Sequence, residues 1–458
     1  MATTYLNRAF SSSSTNTKAT WSLWVKRSKI GANQFLFQSR DAENNNYRTY
    51  FSFTASDTLR FYSYDGSGNF LIQIETNKVF RDTSAWYHIV FRVDTTQGNT
   101  SHRIRTYVNG EEETSFSTAT YPSSSAQIRT VSSNFTRWGK NYSSYDFFDG
   151  VLSHINFIEG EDRTPDFFGE TDSTTGEWKI KTSPTGFTYG SNGYFILKDG
   201  NSVTDQSGNS NNFIVAGGIL NNTEDCPSNN FATWNATDRW LGNTAGNGDF
   251  LRNGNNYFRT TSDANKALVR STIGVTSGKY YCEMKVTQIE RAWVGICNRQ
   301  VFTSSSEFWT TNNEGGFFWY GNGGGVYNAN NQTTGNYGGF TNNDIVMMAL
   351  DMDNYAWYLG KNGTWLNSGD PTSGASKTGS VTEETNFGTT PLTNYDEVFF
   401  MAAEPSAAGI AQVEANFGNG VFKTTAVASA GTNASGIGVF EYDVPTGYTA
   451  LSTKGLNL

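Results

Sequence analysis

The chain has 458 residues, with 42 Asp and Glu against 33 Lys and Arg, a net charge of −9. Its length implies two or three domains, and its acidic balance argues against nucleic acid, because neutralising phosphates takes a surplus of Lys and Arg. Aromatics at 15% exclude a disordered chain, and charged residues at only 16%, with 47 glycines, point to strands joined by uncharged polar turns.

The predicted elements begin with "TWSLWVK" (20–26), "YRTYFSF" (47–53), "TLRFYSY" (58–64) and "FLIQIE" (70–75). All are rich in aromatic and β-branched residues, with turn clusters such as "DGSGN" (65–69) between them. "RDTSAWYHIVFRVDTT" (81–96) alternates with period two, Tyr87, Ile89, Phe91 and Val93 on one face. "RIRTYVNGEEE" (103–113) follows, with a hairpin signal at Asn109 and Gly110. Residues 171–226 are mostly turn-formers around one strand, "GYFILK", and read as a connecting segment able to add edge strands to the first domain.

A second strand series starts near 227. "GKYYCEMKV" (278–286) places Tyr280, Cys282, Met284 and Val286 on one face and Tyr281, Glu283 and Lys285 on the other. "RAWVGICN" (291–298), "NDIVMMALDMDNYAWYLGKNGTWL" (343–366) and "DEVFFMAAEP" (396–405) follow, the run "IVMMAL" suiting a central strand covered on both faces. No window carries the periodicity of an amphipathic helix. The expected fold is all-β: two antiparallel β-sandwiches in tandem, over 1–170 and 227–458.

Asp82, Ser84 and His88 are the residue types of a hydrolytic triad. On an extended strand Ser84 and His88 stand roughly 13 Å apart, so they cannot meet within it. With three histidines (His88, His102, His154), three cysteines (Cys226, Cys282, Cys297) and no CxxC spacing, neither a transition-metal site nor a disulfide framework is expected. Asp65 and Asn69, and Asp205 and Asn209 in "DQSGN", offer closely spaced oxygens to calcium, although turn formation accounts for them better. No paired carboxylates share a strand in the manner of a glycosidase, so no enzymatic activity and no cofactor are expected. The start of the chain lacks an apolar signal region and "IVMMAL" is too short to cross a bilayer, so synthesis in the cytoplasm without membrane insertion is expected.

Residues 304–340 hold nine aromatics among Gly, Asn, Thr and Ser. Rigid rings on adaptable polar loops make contacts at low entropic cost, and a sugar would stack on them while amides read its hydroxyls. The ligand-binding candidates are Trp309, Phe318, Trp319, Tyr320, Tyr327 and Tyr337.

"TWSLWVKR", the Trp86-x-His88 strand, "RIRTYVNGE" and "DGVLSHINFIEGE" together resemble a laminin G-like, concanavalin A-like sandwich over residues 1–170. "SGKYYCEMKV", "AWVGICN", "DIVMMALDMDNYAWYLGKNGTW", "VFFMAAEP" and "EANFGN" resemble, in order and spacing, a SPRY domain, itself a concanavalin A-like sandwich. The pairing of the two, with "YLNRAFSSSSTNTKATWSLWVKR" at the start and "DQSGNSNNF" between them, is similar to virion proteins of marine tailed phages. The resemblance implies a tail-fibre, head-fibre or capsid-decoration element on the virion surface. Its partners would be other virion proteins, copies of itself and a host-surface glycan. The alternatives are a purely structural cement protein and, less favoured, a polysaccharide depolymerase.

Overall fold

The period-two segments fold as strands in a computed structural model that describes residues 3–41, 47–142, 146–198, 202–241, 250–260, 267–302, 315–328, 331–332, 337–383, 392–404 and 409–457. Among these residues every helical segment is a 3-10 turn, the longest being Pro371–Ser376, and no helix is long and apolar enough to cross a membrane. The chain divides into two compact units, Met1–Leu220 and Asn221–Leu458.

In the first unit an eight-stranded sheet runs Phe116–Thr120, Phe70–Val79, Thr58–Tyr64, Arg48–Phe53, Gln34–Arg40, Phe135–Trp138, Tyr5–Arg8, Ile214–Ala216. The facing six-stranded sheet runs Glu111–Glu113, Ile104–Val108, Trp86–Asp94, Lys18–Arg27, Gly150–Glu159, Tyr194–Ile196. Antiparallel pairing sends alternate side chains inward, and the inner faces meet on Trp21. Its indole stacks on Phe157 (5.0 Å) and meets Phe51 and Phe61 edge-on (5.2 and 6.1 Å). Ile214–Ala216 and Tyr194–Ile196, both from the turn-rich segment after 170, close one edge of each sheet.

The outer face of the six-stranded sheet is also buried. Phe168, with Phe167, Phe187 and Tyr189, packs on Val90, Tyr107 and Ile158. Thus Trp86–Asp94, whose alternation marks one apolar face, is covered on both sides by a third layer drawn from the segment after the Gly150–Glu159 strand.

The second unit repeats the plan. A seven-stranded sheet runs Trp234–Leu241, Ala267–Ser271, Phe399–Glu404, Trp293–Cys297, Gly316–Tyr320, Val326–Asn328, Asn331–Gln332. The facing eight-stranded sheet centres on Lys279–Gln288 and Ile345–Asp351. Cys282, Met284, Val286, Met348 and Leu350 enter the core with Ile296, Phe317 and Trp319. Tyr281, Met347 and Ala349 face the other way and are covered by Phe440, Val444 and Tyr448. "IVMMAL" is therefore buried on both faces, its outer cover being the C-terminal segment.

Candidate binding surfaces

His88 lies in the middle of its strand, fully buried. Its ring stacks on Trp24 (4.7 Å), its cross-strand partner, and on Trp178 (5.9 Å) from the covering layer. The Trp178 indole Nε1–H donates to His88 Nδ1 at 2.9 Å, so Nε2 carries the imidazole proton and donates to Ser22 Oγ, also at 2.9 Å. This Ser–His pair has the polarity opposite to that of a nucleophile and its base, and no route to solvent. Ser84, by contrast, donates from its hydroxyl (2.5 Å) and its amide (2.8 Å) to Asp82 in a local turn. The structure thus bonds Ser84 to Asp82 and gives His88 to Ser22 and Trp178, so the three triad-type residues of this stretch do not assemble.

The two calcium candidates are turn locks. Asp65 Oδ1 accepts the amides of Ser67 and Asn69, each at 2.8 Å, while Oδ2 accepts the Asn69 side-chain amide at 3.0 Å. Asp205 accepts the Phe195, Ser207 and Asn211 amides and the Ser207 hydroxyl, at 2.8–2.9 Å. Asn209 turns away from it and donates to the carbonyls of Gly190 and Gly193. Three donors thus sit on the Asp65 carboxylate and four on that of Asp205. Among the described residues no three His, Cys, Asp or Glu side chains gather as a metal site.

The aromatic candidates divide by strand parity. Trp309 lies outside the described residues. The segment read as loop contains the strands Gly316–Tyr320 and Val326–Asn328, so its rings alternate between faces. Trp319 points into the core, its indole N–H bonded to the Gly338 carbonyl (2.9 Å) and its ring edge-on to Phe340. Tyr337 is buried as well, its hydroxyl accepting the Asn367 amide at 3.2 Å. Phe318 faces outward but is buried among Leu268, Cys297 and Met401.

Tyr320 and Tyr327, which also face outward, are half-buried. They share a neighbour that the sequence reading did not single out as a site residue. Trp293, opposite Tyr320 in the ladder, stacks on it at 5.0 Å and meets Tyr327 at 5.2 Å. Arg291 donates to the Tyr320 hydroxyl at 3.3 Å. The result is a two-tyrosine platform backed by an indole and edged by a guanidinium. It could have been found from the parity of "AWVGIC", which puts Trp293, Gly295 and Cys297 on one face. Burial pushes the Cys297 thiol up to about 12, so it is an inert packing group.

Sheet order, antiparallel register and the two aromatic cores define an all-β protein of two jelly-roll sandwiches in tandem. Residues 2–161 match the family model described as the concanavalin A-like lectin/glucanases superfamily. No curated protein matches the chain. Among solved structures, the chain is similar to the SPRY domain of human HERC1, at 17% identity and a TM-score of 0.27, over 40% of this chain and 96% of that one. It is also similar to a carbohydrate-binding protein from Bacteroides ovatus (14%, TM-score 0.31, over 47% of this chain and 56% of that one). A third likeness is to the CBM40 module of a Ruminococcus gnavus sialidase bound to sialyllactose (13%, TM-score 0.22, over 29% and 70%).

Proposed function

We propose that the chain is a non-enzymatic virion protein of a tailed phage, a tail-fibre, head-fibre or surface-decoration element that binds host-surface glycans. The observation that carries the glycan part is the Tyr320–Trp293–Tyr327 platform on a sheet face, in a chain whose first sandwich matches a lectin-type family. The virion setting rests on the resemblance of the opening segment and of "DQSGNSNNF" to phage proteins. A shallow platform binds one sugar weakly, with a dissociation constant of about 1 mM, or roughly −4 kcal/mol. Many copies on one particle raise the attachment at least a hundredfold, to order of magnitude, by effective concentration.

The test is a glycan array probed with the purified full-length protein and with Tyr320→Ala/Tyr327→Ala. Binding of a defined glycan class, lost in the variant at an unchanged melting temperature, supports the reading. Absence of any glycan binding, with the protein seated on the capsid lattice, would instead establish a purely structural decoration protein. Release of reducing ends from host polysaccharide would establish a depolymerase.

A further inference from the structure

The second unit holds a cleft of about 350 Å³ beside the start of its Lys279–Gln288 strand, within the range of small-molecule sites, about 300–1,000 Å³. The strand start supplies Gly278, Lys279 and Tyr280, the turn after Ile345–Asp351 supplies Asp353, and the C-terminal segment supplies Tyr448 and Thr449. Thr449–Ala450 runs parallel to Tyr280–Tyr281, with Thr449 opposite Tyr280, so these two side chains lie on one face of the sheet.

The cleft is marked by open polar atoms on buried side chains. Tyr280 and Thr449 are each 5% exposed. Thr449 Oγ1 is buried with no hydrogen-bond partner among the described residues, and the Tyr280 hydroxyl has none there either. Unpaired buried hydroxyls destabilise a fold, so the arrangement is a cost to the protein alone. Gly278, at a φ of 85°, leaves room for the Tyr280 hydroxyl, since a Cβ there would stand 2.8 Å from it. Burial first and the Asp353 charge second push the Tyr280 phenol up, which keeps it an O–H donor at neutral pH. Asp353 Oδ1 accepts the Gly278 amide at 2.7 Å, while its Oδ2 accepts from no described group. Lys279 is the one cation among the lining residues. Its ammonium is held by Asp351 (2.9 Å), 5.9 Å from the centre of the Tyr448 ring, and keeps N–H donors to spare.

We propose that this cleft is a second glycan site, which takes a neutral saccharide unit: Asp353 and Thr449 accept from its hydroxyls while Tyr280 and Lys279 donate to them. Donors and acceptors mixed in one small recess suit hydroxyl groups, each of which is both. An anionic sugar would meet the open Asp353 oxygen, with the ammonium already paired to Asp351. A nucleobase would find no free ring to stack on, because Tyr280 and Tyr448 are buried, the latter at 1% exposure with its hydroxyl on the Pro371 carbonyl (3.0 Å). Recognition here is by the placing of hydroxyls rather than by stacking, unlike the Tyr320–Tyr327 platform. A site of this kind rejects ligands that leave its polar groups unpaired. The inference rests on the glycan reading above for its ligand class and places that class at an independent site.

The experiment is saturation-transfer NMR on the full-length protein with the methyl pyranosides of glucose, galactose, mannose and N-acetylglucosamine, and with glucuronate as the anionic arm. The expected result is saturable binding of at least one neutral pyranoside in preference to glucuronate. Tyr280→Phe/Thr449→Val removes only the two open hydroxyls. Its melting temperature is expected to hold or rise, because unpaired buried groups are lost, while affinity falls at least roughly tenfold. Asp353→Asn keeps an oxygen for the Gly278 amide and weakens binding severalfold. Ala434→Trp, at an exposed position on the rim, blocks the cleft without touching the core. Tyr320→Ala/Tyr327→Ala keeps pyranoside binding. No neutral pyranoside bound, undiminished binding in the folded Phe/Val or Ala434→Trp variant, or a preference for glucuronate would each overturn the proposal. Loss of pyranoside binding in the Tyr320→Ala/Tyr327→Ala variant would overturn it too, and would leave the platform standing as the glycan site. Pyranoside binding that only the cleft variants abolish would keep the cleft even if the platform proved silent on the array.

Discussion

The Trp178 indole donates to His88 Nδ1 at 2.9 Å while lying nearly parallel to the imidazole. This contact fixes His88 as a neutral ring whose other nitrogen donates to Ser22. Burial holds its pKa down at about 3, against an ordinary 6.5. A depressed histidine stabilises the fold fully above pH 6.5, and that contribution is lost as pH falls through 3, at roughly 1.4 kcal/mol per pH unit between the two. The expected outcome is a His88 ring signal that does not titrate between pH 5 and 8 by NMR, while the first unit loses stability progressively below pH 6. A midpoint near 6.5 would contradict the buried, indole-bonded ring.

Gly110 explains why the hairpin beside His88 ends in Asn-Gly. Asn109 and Gly110 both have positive φ (50° and 84°), as a type I′ turn requires. The Asn109 side-chain oxygen accepts the His88 amide at 2.8 Å. A Cβ on Gly110 would fall 2.5 Å from the Trp178 ring. Gly110→Ala is therefore expected to destabilise the first unit by about 1–2 kcal/mol from backbone strain alone, with more from the displaced indole. Gly66→Ala, where the added carbon meets nothing within 4 Å, is the neutral control. Melting curves with tryptophan emission read both, and equal melting temperatures for the two variants would refute the packing argument.

What the sequence made legible follows from period two. Alternation in "WYHIVFRV" and "GKYYCEMKV" places the core faces correctly, because a sheet side chain's direction depends only on parity. What it hid are the partners of the second faces. Nothing near His88 in sequence announces Trp178, 90 residues on, and nothing near Tyr281 announces Phe440. Both covers come from turn-rich segments whose own patterning is weak. The aromatic segment 304–340 misleads for a related reason: its glycines and asparagines read as loop, while Phe317 and Trp319 alternate into the core of a strand.

Asp57 anchors a buried charge cluster in the first unit. Its carboxylate accepts Arg27 Nη2 (3.0 Å), Arg81 Nε (3.0 Å) and the Gly31 amide (2.8 Å), and the Arg27 side chain is fully buried. Burial pushes the carboxyl up, but the Gly31 amide and the two guanidiniums outweigh it and hold it below the ordinary range. Asp57→Ala leaves the Arg27 guanidinium buried without its carboxylate, at an expected cost of roughly 3–5 kcal/mol. Arg81→Ala removes only the partly exposed partner and is expected to cost less than about 1 kcal/mol. Urea denaturation of both variants is the check, and similar losses would show that the buried pair is not the anchor.

Glu283 makes the opposite pH prediction for the second unit. Its buried carboxylate accepts the amides of Glu441 and Tyr442, each at 2.8 Å, and the Tyr281 hydroxyl at 3.0 Å, which pins the C-terminal segment to the sheet. Burial outweighs these donors and pushes its pKa from 4.5 up to about 7. A raised carboxyl stabilises the folded state fully below pH 4.5, and this contribution is lost as pH rises through 7. The second unit is therefore expected to lose stability as pH rises from 4.5 to 7, opposite in sign to the His88 effect on the first unit, which levels off only above pH 6.5. Glu283→Gln should flatten that slope, at a cost of about 1–3 kcal/mol from an amide nitrogen set against backbone donors. It should also speed hydrogen exchange at the Glu441 and Tyr442 amides. A variant that kept the wild-type slope would place the titrating group elsewhere, and unchanged exchange at those two amides would mean that Phe440, Val444 and Tyr448 hold the segment without the carboxylate.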